Sequence, residues 1–387
     1  MRVWMIDAVN MTPYYNASLC RALLAEQCQV TMITSPFIYD PWPIYHGTEV
    51  RYAFSRFLGE ERLLRLARKT SMRRVMRLLE YPWDLMRTFL PRERPRPVLH
   101  FQWSAIPAFD MWVWKFLKLG GYPLVLTVHN IVPHGSQRPS LAQERLYNIP
   151  HRLILHTDSL ARELVRKFPD TSDRVRIVSH GTLFDDVPEW AQHDARSALG
   201  LPLDAPIALF FGQIEPYKGV DYLIRAFSSV MHQIPEALLL IAGKTHTLVD
   251  RYRALIEEVG VTGSVRTDFA FIPTEQVPLY FGAADVVVLP YLEASQSGVL
   301  LAAYRFGRPV IVTDTGGLSD TVEHCGNGLV VDPGNESALT GAMVELLSNR
   351  MRAREMGARS QEIGLERHDW RVIARQTMAV YEELEGE

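Results

Sequence analysis

Two short stretches of this sequence carry residues whose types and order could hold a strongly charged small molecule. The first runs Phe210-Phe-Gly-Gln-Ile-Glu-Pro-Tyr-Lys-Gly219. An apolar run ends at Gly212, a short loop carries Lys218, and helical periodicity begins around Gly219. Backbone amides at a helix start, joined by one ammonium acting as a point charge, make an anion site. Read alone, the same loop is an ordinary strand-to-helix connection with a surface lysine. The second stretch is Tyr291-Leu-Glu-Ala-Ser-Gln-Ser-Gly-Val-Leu-Leu-Ala-Ala-Tyr304. It follows an apolar run closed by Pro290 and enters an apolar helix near Ser297-Gly298-Val299. Small residues there let a ligand approach the backbone, and N–H groups without helical partners point at it. Alone, this stretch reads as a capped helix with Ser295 or Ser297 as the cap. Taken together, the two stretches could hold a diphosphate between Lys218 and the Gly298 helix start, its charge offset without a metal. Glu293, just upstream, could accept hydrogen bonds from sugar hydroxyls.

The elements that must position these residues follow a regular rhythm. Val30–Thr34, Pro97–Phe101, Pro123–Thr127, Arg152–Leu155 and Arg174–Val178 each read as buried strands, separated by segments long enough for a crossover. That rhythm predicts parallel, right-handed βαβ units covered on both faces. From about Gly181 the pattern breaks, and Leu183–Pro188 and Leu201–Pro206 are turn-rich, as a connection between domains would be. The rhythm restarts with Ile207–Phe211, Ala237–Ala242, Asp285–Leu289, Arg308–Val312 and Gly328–Val331, with helical periodicity over Val220–Met231 and Arg251–Val259. Ala338 to Glu387 is almost wholly helical in pattern, and Trp370 and Tyr381 are apolar anchors for docking the last helix. Two doubly wound α/β domains are therefore expected, with a ligand cleft outside the carboxyl ends of their strands.

Composition sets the outer bounds. The chain has 387 residues, 47% hydrophobic and 22% charged, which suits two globular domains rather than a disordered chain. A net charge of −3 supplies no field for nucleic acid. Cys20, Cys28 and Cys325 are too few and scattered for a disulfide framework or zinc site. The apolar run at Met1–Asp7 is too short for a signal-peptide core, and no stretch has the ~18 apolar residues that span a bilayer. A cytoplasmic location follows, with any membrane contact peripheral. Arg62, Arg65, Arg68, Lys69, Arg73, Arg74 and Arg77, interleaved with leucines, mark a basic helix. It could lie on an anionic membrane surface or meet a polyanionic acceptor; packing its leucines inward as a solvated face is the plainer reading.

Four blocks occur in order at characteristic spacings: Gly212-Gln-Ile-Glu-Pro-Tyr-Lys-Gly219, Leu239-Leu-Ile-Ala-Gly243, Ala284-Asp-Val-Val-Val-Leu-Pro290 and Phe306-Gly-Arg-Pro-Val-Ile-Val-Thr-Asp-Thr-Gly-Gly317. Together they resemble the C-terminal half of glycosyltransferase family 4, also called retaining glycosyltransferase group 1. The resemblance is strong from about Val175 to Leu346 and thinner before it, where Leu126-Thr-Val-His-Asn130 and Asp158–Val165 still match. It implies the GT-B fold: a Rossmann-like acceptor domain over about 1–185, a Rossmann-like nucleotide-sugar domain over about 186–367, and a last helix over about 368–387 packing back on the first. It also implies transfer from a nucleotide-diphosphate sugar to an acceptor hydroxyl, with retention. By family frequency the donor is a UDP-sugar, with GDP-sugars as the alternative, and no cofactor or metal takes part. Lys218 matches the lysine on the donor diphosphate; Gly212 and Gln213 belong to the same loop. Ser297, Gly298 and Val299 match the helix start whose amides meet the phosphates. Phe271 and Ile272 fall where the nucleobase is met. Glu293 resembles the glutamate facing the transferred sugar, and His129 the histidine lining the reacting centre.

Three departures stand out. Gln213 replaces an arginine, the second family glutamate falls at Leu301 or Ala302, and Asn10-Met-Thr-Pro-Tyr-Tyr-Asn16 replaces a glycine-rich turn. A sugar-nucleotide epimerase of the same fold and a non-catalytic sugar-nucleotide binding subunit are the competing readings. His100, His134, His156 and His180 are read as structural. Phe101–Ser104 and Met111–Trp114 supply aromatics read as core, with a sugar or lipid subsite as the alternative. No Asp-x-Asp and no Gly-x-Gly-x-x-Gly after the first strand occur, which disfavours a metal–diphosphate anchor and a dinucleotide oxidoreductase. The basic helix and the tryptophans suggest a glycolipid, lipid-linked or polyanionic glycan acceptor, as in bacterial surface-polysaccharide assembly.

Overall fold

The computed structural model describes residues 1–37, 40, 42, 44–54, 70–89 (main chain only over 70–79), 95–132, 140–245 and 249–384. The chain forms two compact units. One comprises Met1–Tyr39, Pro43–Ser179 and Trp370–Glu387; the other comprises Asp40–Trp42 and His180–Asp369.

In the first unit the order is β1 (Arg2–Asp7), α1 (Pro13–Ala25), β2 (Gln29–Thr34), β3 (Glu49–Tyr52), α2 (Thr70–Phe89) and β4 (Val98–Phe101). It continues with α3 (Pro107–Leu119), β5 (Leu124–Thr127), α4 (Leu141–Tyr147), β6 (Arg152–Leu155), α5 (Asp158–Lys167) and β7 (Val175–Ile177). The seven strands are parallel in the order β3-β2-β1-β4-β5-β6-β7. The central strands are buried along nearly their whole length, because helices cover both faces, so their sequences run apolar without alternation. β3 is different: Glu-Val-Arg-Tyr is largely exposed at the sheet edge, where charges discourage further pairing. A reading based on apolar runs passes over it. The final helix, Trp370–Glu382, packs on α1. Its Tyr381 hydroxyl lies 2.6 Å from His100 Nδ1, and Trp370 meets Tyr15 edge-on at 5.4 Å. Beyond its end Glu383 accepts from Arg152 Nε at 2.7 Å and Arg176 Nε at 2.9 Å. The basic helix expected over Arg62–Arg77 falls partly outside the described residues. The helix described there begins at Thr70 and continues to Phe89, passing through Pro82.

The second unit opens with α6 (Gln192–Leu199), between the two turn-rich stretches that read as a connection between domains. Buried Arg196 holds it in place, donating to Asp285 Oδ2 at 2.8 Å and to the Ala283 carbonyl at 2.9 Å. Then follow β8 (Ile207–Phe211), α7 (Val220–Met231), β9 (Leu238–Ala242), α8 (Val249–Glu258), β10 (Val265–Asp268), α9 (Val277–Ala283) and β11 (Val286–Leu289). Next come α10 (Gly298–Arg305), β12 (Val310–Thr313), α11 (Leu318–Thr321), β13 (Gly328–Val331), α12 (Glu336–Ser348) and α13 (Arg350–Arg367). The six parallel strands run β10-β9-β8-β11-β12-β13. Edge strand β10, Val-Arg-Thr-Asp, escapes the apolar pattern as β3 does. The order reverses between β1 and β4 in one sheet and between β8 and β11 in the other. Doubly wound sheets form ligand crevices at the carboxyl ends of their strands at such points. Among the described residues no helix is long and apolar enough to cross a membrane.

Candidate functional site

At the β8/β11 switch point three loops are stitched together. β8 ends in Gly212, whose φ of +108° is a backbone conformation that suits glycine. A Cβ built on Gly212 would stand 3.1 Å from Val299 Cγ2 and 3.7 Å from Lys218 Nζ. The ammonium and the start of α10 therefore converge over one bare stretch of backbone. Gly219, φ +67°, lets the chain turn from the Lys218 loop into α7; a side chain there would strike the Pro290 carbonyl. The loops bond directly as well, Leu292 N donating to Tyr217 O at 2.7 Å and Gly317 N to Ser295 O at 2.9 Å. Thr313 Oγ1 donates to Tyr291 O at 2.5 Å.

Charge and donors are arranged to match. Lys218 Nζ lies 5.0 Å from the centroid of the buried Tyr291 ring, which holds it as a cation–π contact without neutralising it. Among the described residues Lys218 makes no ion pair. Ser297 occupies the N-cap of α10, yet its side chain does not cap; it lies 3.3 Å from the Tyr291 hydroxyl. The first amides of α10 are thus left for an incoming acceptor, with the positive end of the helix dipole behind them. Gln296 Oε1 is buried without a hydrogen-bond partner among the described residues. Glu293 sits on the exposed part of the same loop. Gln213 adds no charge: its amide donates to Glu215 at 2.8 Å. Phe271 and Ile272 are half-buried on the loop after β10, two strands along from β8. Thr274, just beyond, donates its N–H (2.9 Å) and hydroxyl to Asp40, which belongs to this unit. Tyr291 and Gln296 stand inside the stretch read from the sequence, but their side chains were given no role there, and Asp40, far away in the chain, was not foreseen.

His129 lies in the first unit, just past β5. Its Nε2 is 3.1 Å from Gln102 Oε1, and its Nδ1 is 3.3 Å from His156 Nε2, whose Nδ1 in turn meets the Val178 carbonyl at 2.9 Å. Trp103 stacks on the imidazole at 4.9 Å and Tyr15 meets it edge-on at 5.2 Å. His100 is enclosed between Tyr381 and Thr127, its Nε2 2.7 Å from Thr127 Oγ1. Burial pushes its pKa down to about 3, with repulsion from His156 adding to the effect. His180 bonds its neighbour's carbonyl in the second unit, and His134 lies outside the described residues. The loop replacing a glycine-rich turn is built on buried Asp7, which accepts from Asn16 Nδ2 at 2.8 Å and Thr12 N at 3.2 Å. Burial raises the Asp7 pKa against those bonds. Trp114 is core, whereas Trp112 is 66% exposed, which corrects the reading of both as core.

Two doubly wound parallel-sheet domains with these strand orders are those of the GT-B fold. The model described as "Glycosyltransferase Family 4" matches residues 14–182, and that described as "Glycosyl transferases group 1" matches residues 191–363. The chain belongs to this family and is a glycosyltransferase of group 1. Among curated relatives, a D-inositol 3-phosphate glycosyltransferase of Thermobispora bispora is 29% identical over 70% of this chain and 67% of its own. One from Nocardia farcinica is 33% identical over 62% of this chain and 56% of its own. Among solved structures, sucrose-phosphate synthase of Thermosynechococcus elongatus superposes with a TM-score of 0.78 at 22% identity, covering 100% of this chain and 99% of that one. Anabaena HepE in complex with UDP-glucose gives 0.74 at 18%, covering 100% of both. At these identities the likeness establishes the fold alone.

Proposed function

We propose that this glycosyltransferase takes a nucleotide-diphosphate sugar on its second unit and transfers the sugar, with retention and without a metal, to an acceptor hydroxyl. The observation that carries the reading is the convergence of Lys218 Nζ and the α10 start over Gly212. The departing diphosphate gathers negative charge. Groups fixed at its position stabilise the transition state more than the ground state, and at no reorganisation cost. In a retaining transfer the departing phosphate oxygen can take the acceptor's proton, so no protein base is needed. Lys218 and the Gly298 and Val299 amides hold the phosphates, with Gly212 and Gln213 as the floor of the loop. Glu293 and Gln296 face the sugar hydroxyls, Phe271 and Ile272 meet the base, and His129 lines the reacting centre. UDP is favoured as the carrier, in keeping with the UDP-glucose bound by the Anabaena protein, and GDP is the alternative. The acceptor is a sugar, glycolipid or lipid-linked glycan, as surface-glycan assembly in the cytoplasm would require.

Thermal-shift titration with UDP, GDP, ADP and dTDP, with and without magnesium, tests the donor reading. One base should raise the melting temperature selectively and equally in both conditions. A flat response to every nucleotide would sink the donor site, and a shift that needs magnesium would sink metal independence. Release of nucleotide only when an acceptor is supplied separates transfer from epimerisation.

A further inference from the structure

The first unit carries an apolar surface that the proposed reaction does not use. Helix α3 turns Met111, Trp114 and Leu117 into the core. Its opposite side leaves Trp112, Phe116 and Leu119 exposed by 66%, 63% and 89%. Positions 112, 116 and 119 follow an i, i+4, i+7 pattern, a single stripe along about two turns. Lys115 lies on that side too, its Nζ 5.5 Å from the Trp112 ring centroid. The neighbouring helix α2 adds Trp83, 54% exposed, and Met86, with Arg87 exposed beside them. The two helices are joined where the Tyr81 hydroxyl donates to Asp110 Oδ1 at 2.5 Å and the Tyr81 ring meets Phe109 at 6.4 Å.

Isolated exposed apolar residues are ordinary, but five on two packed helices are not. The charges are sorted as well. Asp84 and Asp110 are buried, and Asp110 also takes bonds from Ser104 Oγ at 2.6 Å and Ile106 N at 2.9 Å. The cations Lys115 and Arg87 stay outside, and among the described side chains neither helix has a fully exposed carboxylate. Tryptophans flanked by outward cations are the composition of a surface that settles at a lipid headgroup boundary. A partner protein would accept the aromatics equally well, but with Asp84 and Asp110 buried, Glu80 half-buried and the cations outward, the face favours an anionic surface.

We propose that the α2–α3 face docks on an anionic lipid bilayer, with Trp83, Trp112 and Phe116 entering the headgroup boundary and Lys115 and Arg87 meeting lipid phosphates. This deepens the lipid-acceptor part of the function proposed above and is independent of the donor site. The test is co-sedimentation of the full chain with phosphatidylcholine vesicles, with and without roughly one third phosphatidylglycerol. The chain should sediment with the anionic vesicles and less with the neutral ones. Trp112→Ser combined with Phe116→Ser should cut partitioning about tenfold or more. Lys115→Glu with Arg87→Glu should abolish the preference for anionic lipid. All four positions are exposed, so the UDP-induced thermal shift should match that of the unmodified chain and show that the variants fold. Unchanged partitioning of the serine variant, or no vesicle binding by the unmodified chain, overturns the proposal. So does a dimer in light scattering that the serine variant dissociates, because a second copy would then cover the face. If UDP gives no shift even in the unmodified chain, the donor reading fails while the vesicle result stands by itself.

Discussion

The two switch points share a strand order and use it in opposite ways. In the second unit, the loops after β8 and β11 present bare backbone, an ammonium that makes no ion pair among the described residues, and a helix start whose N-cap side chain does not cap it. In the first, the ends of β1, β4 and β5 are filled with side chains that bond each other: Asp7 with Asn16, Gln102 with His129, and His129 with His156. The first arrangement suits a fixed, invariant group such as a diphosphate, which backbone amides can hold whatever the rest of the molecule is. The second suits shape and hydrogen-bond selection, where changing one side chain changes what fits. One unit should therefore respond chiefly to charge, the other to protonation and packing.

The largest effect is expected at Lys218. Lys218→Ala should reduce turnover on the order of 10²–10³-fold, comparable to losing a key oxyanion donor. Its effect on donor KM should be smaller, because the charge it meets grows in the transition state. Near-normal turnover would break the assignment of charge stabilisation to the second unit.

Protonation provides the corresponding test of the first unit. His100 has a folded pKa of about 3, against an ordinary value of 6.5. Between those values the unfolded chain binds more protons than the folded one, so stability falls as pH drops through that window. The contribution is at most on the order of a few kcal/mol. Glu383, lowered to about 2 chiefly by its bonds from Arg176, acts in the same direction but only in stronger acid. Asp7, raised by burial, opposes it. Comparing melting temperatures between pH 7 and 5 for the unmodified chain and His100→Gln isolates the imidazole. The variant should lose less on acidification, and equal losses would remove His100 as the cause. His368 in the second unit is also lowered by burial and supplies the background slope in both proteins.

Backbone tolerance gives the third measurement. Gly219→Ala forces a side chain onto a backbone at φ +67° and against the Pro290 carbonyl. It should destabilise the chain by about 1–3 kcal/mol, read as a lower midpoint in urea. A neutral result would show that the loop has room to relax, and that the cradle is less rigid than its glycines suggest.

How much of this was legible follows from the same contrast. The strands buried on both faces declared themselves as apolar runs, while β3 and β10, charged edges of their sheets, did not. The residues proposed for the donor side stand in contiguous blocks because backbone geometry ties glycines to fixed places in a loop. Lys218 and the Ser297–Val299 turn could be picked out for that reason. Gln102, His156 and Tyr15 come from separate elements and converge only when the sheet forms, so no spacing gave them away. Trp112 was misread for a related reason: the segment Met111–Trp114 is apolar throughout, and only the helix phase separates Trp114 in the core from Trp112 outside.

The smallest expected effect sharpens the charge argument most. Gln213 adds no charge to the loop that carries Lys218, and its amide is occupied by Glu215 at 2.8 Å. Gln213→Arg would place a second cation there, though Glu215 would compete for it. The gain in UDP affinity should then be modest, about three- to tenfold, near 1 kcal/mol for an exposed charge pair. It should shrink as salt is raised, since exposed charges are screened beyond roughly 10 Å at 0.1 M ionic strength. Glu215→Gln in the same background should enlarge the gain by freeing the guanidinium. Calorimetric titration at two salt concentrations measures all of this. An affinity unchanged in both variants would mean that the diphosphate lies out of reach of residue 213, and that Lys218 and the α10 amides hold it alone.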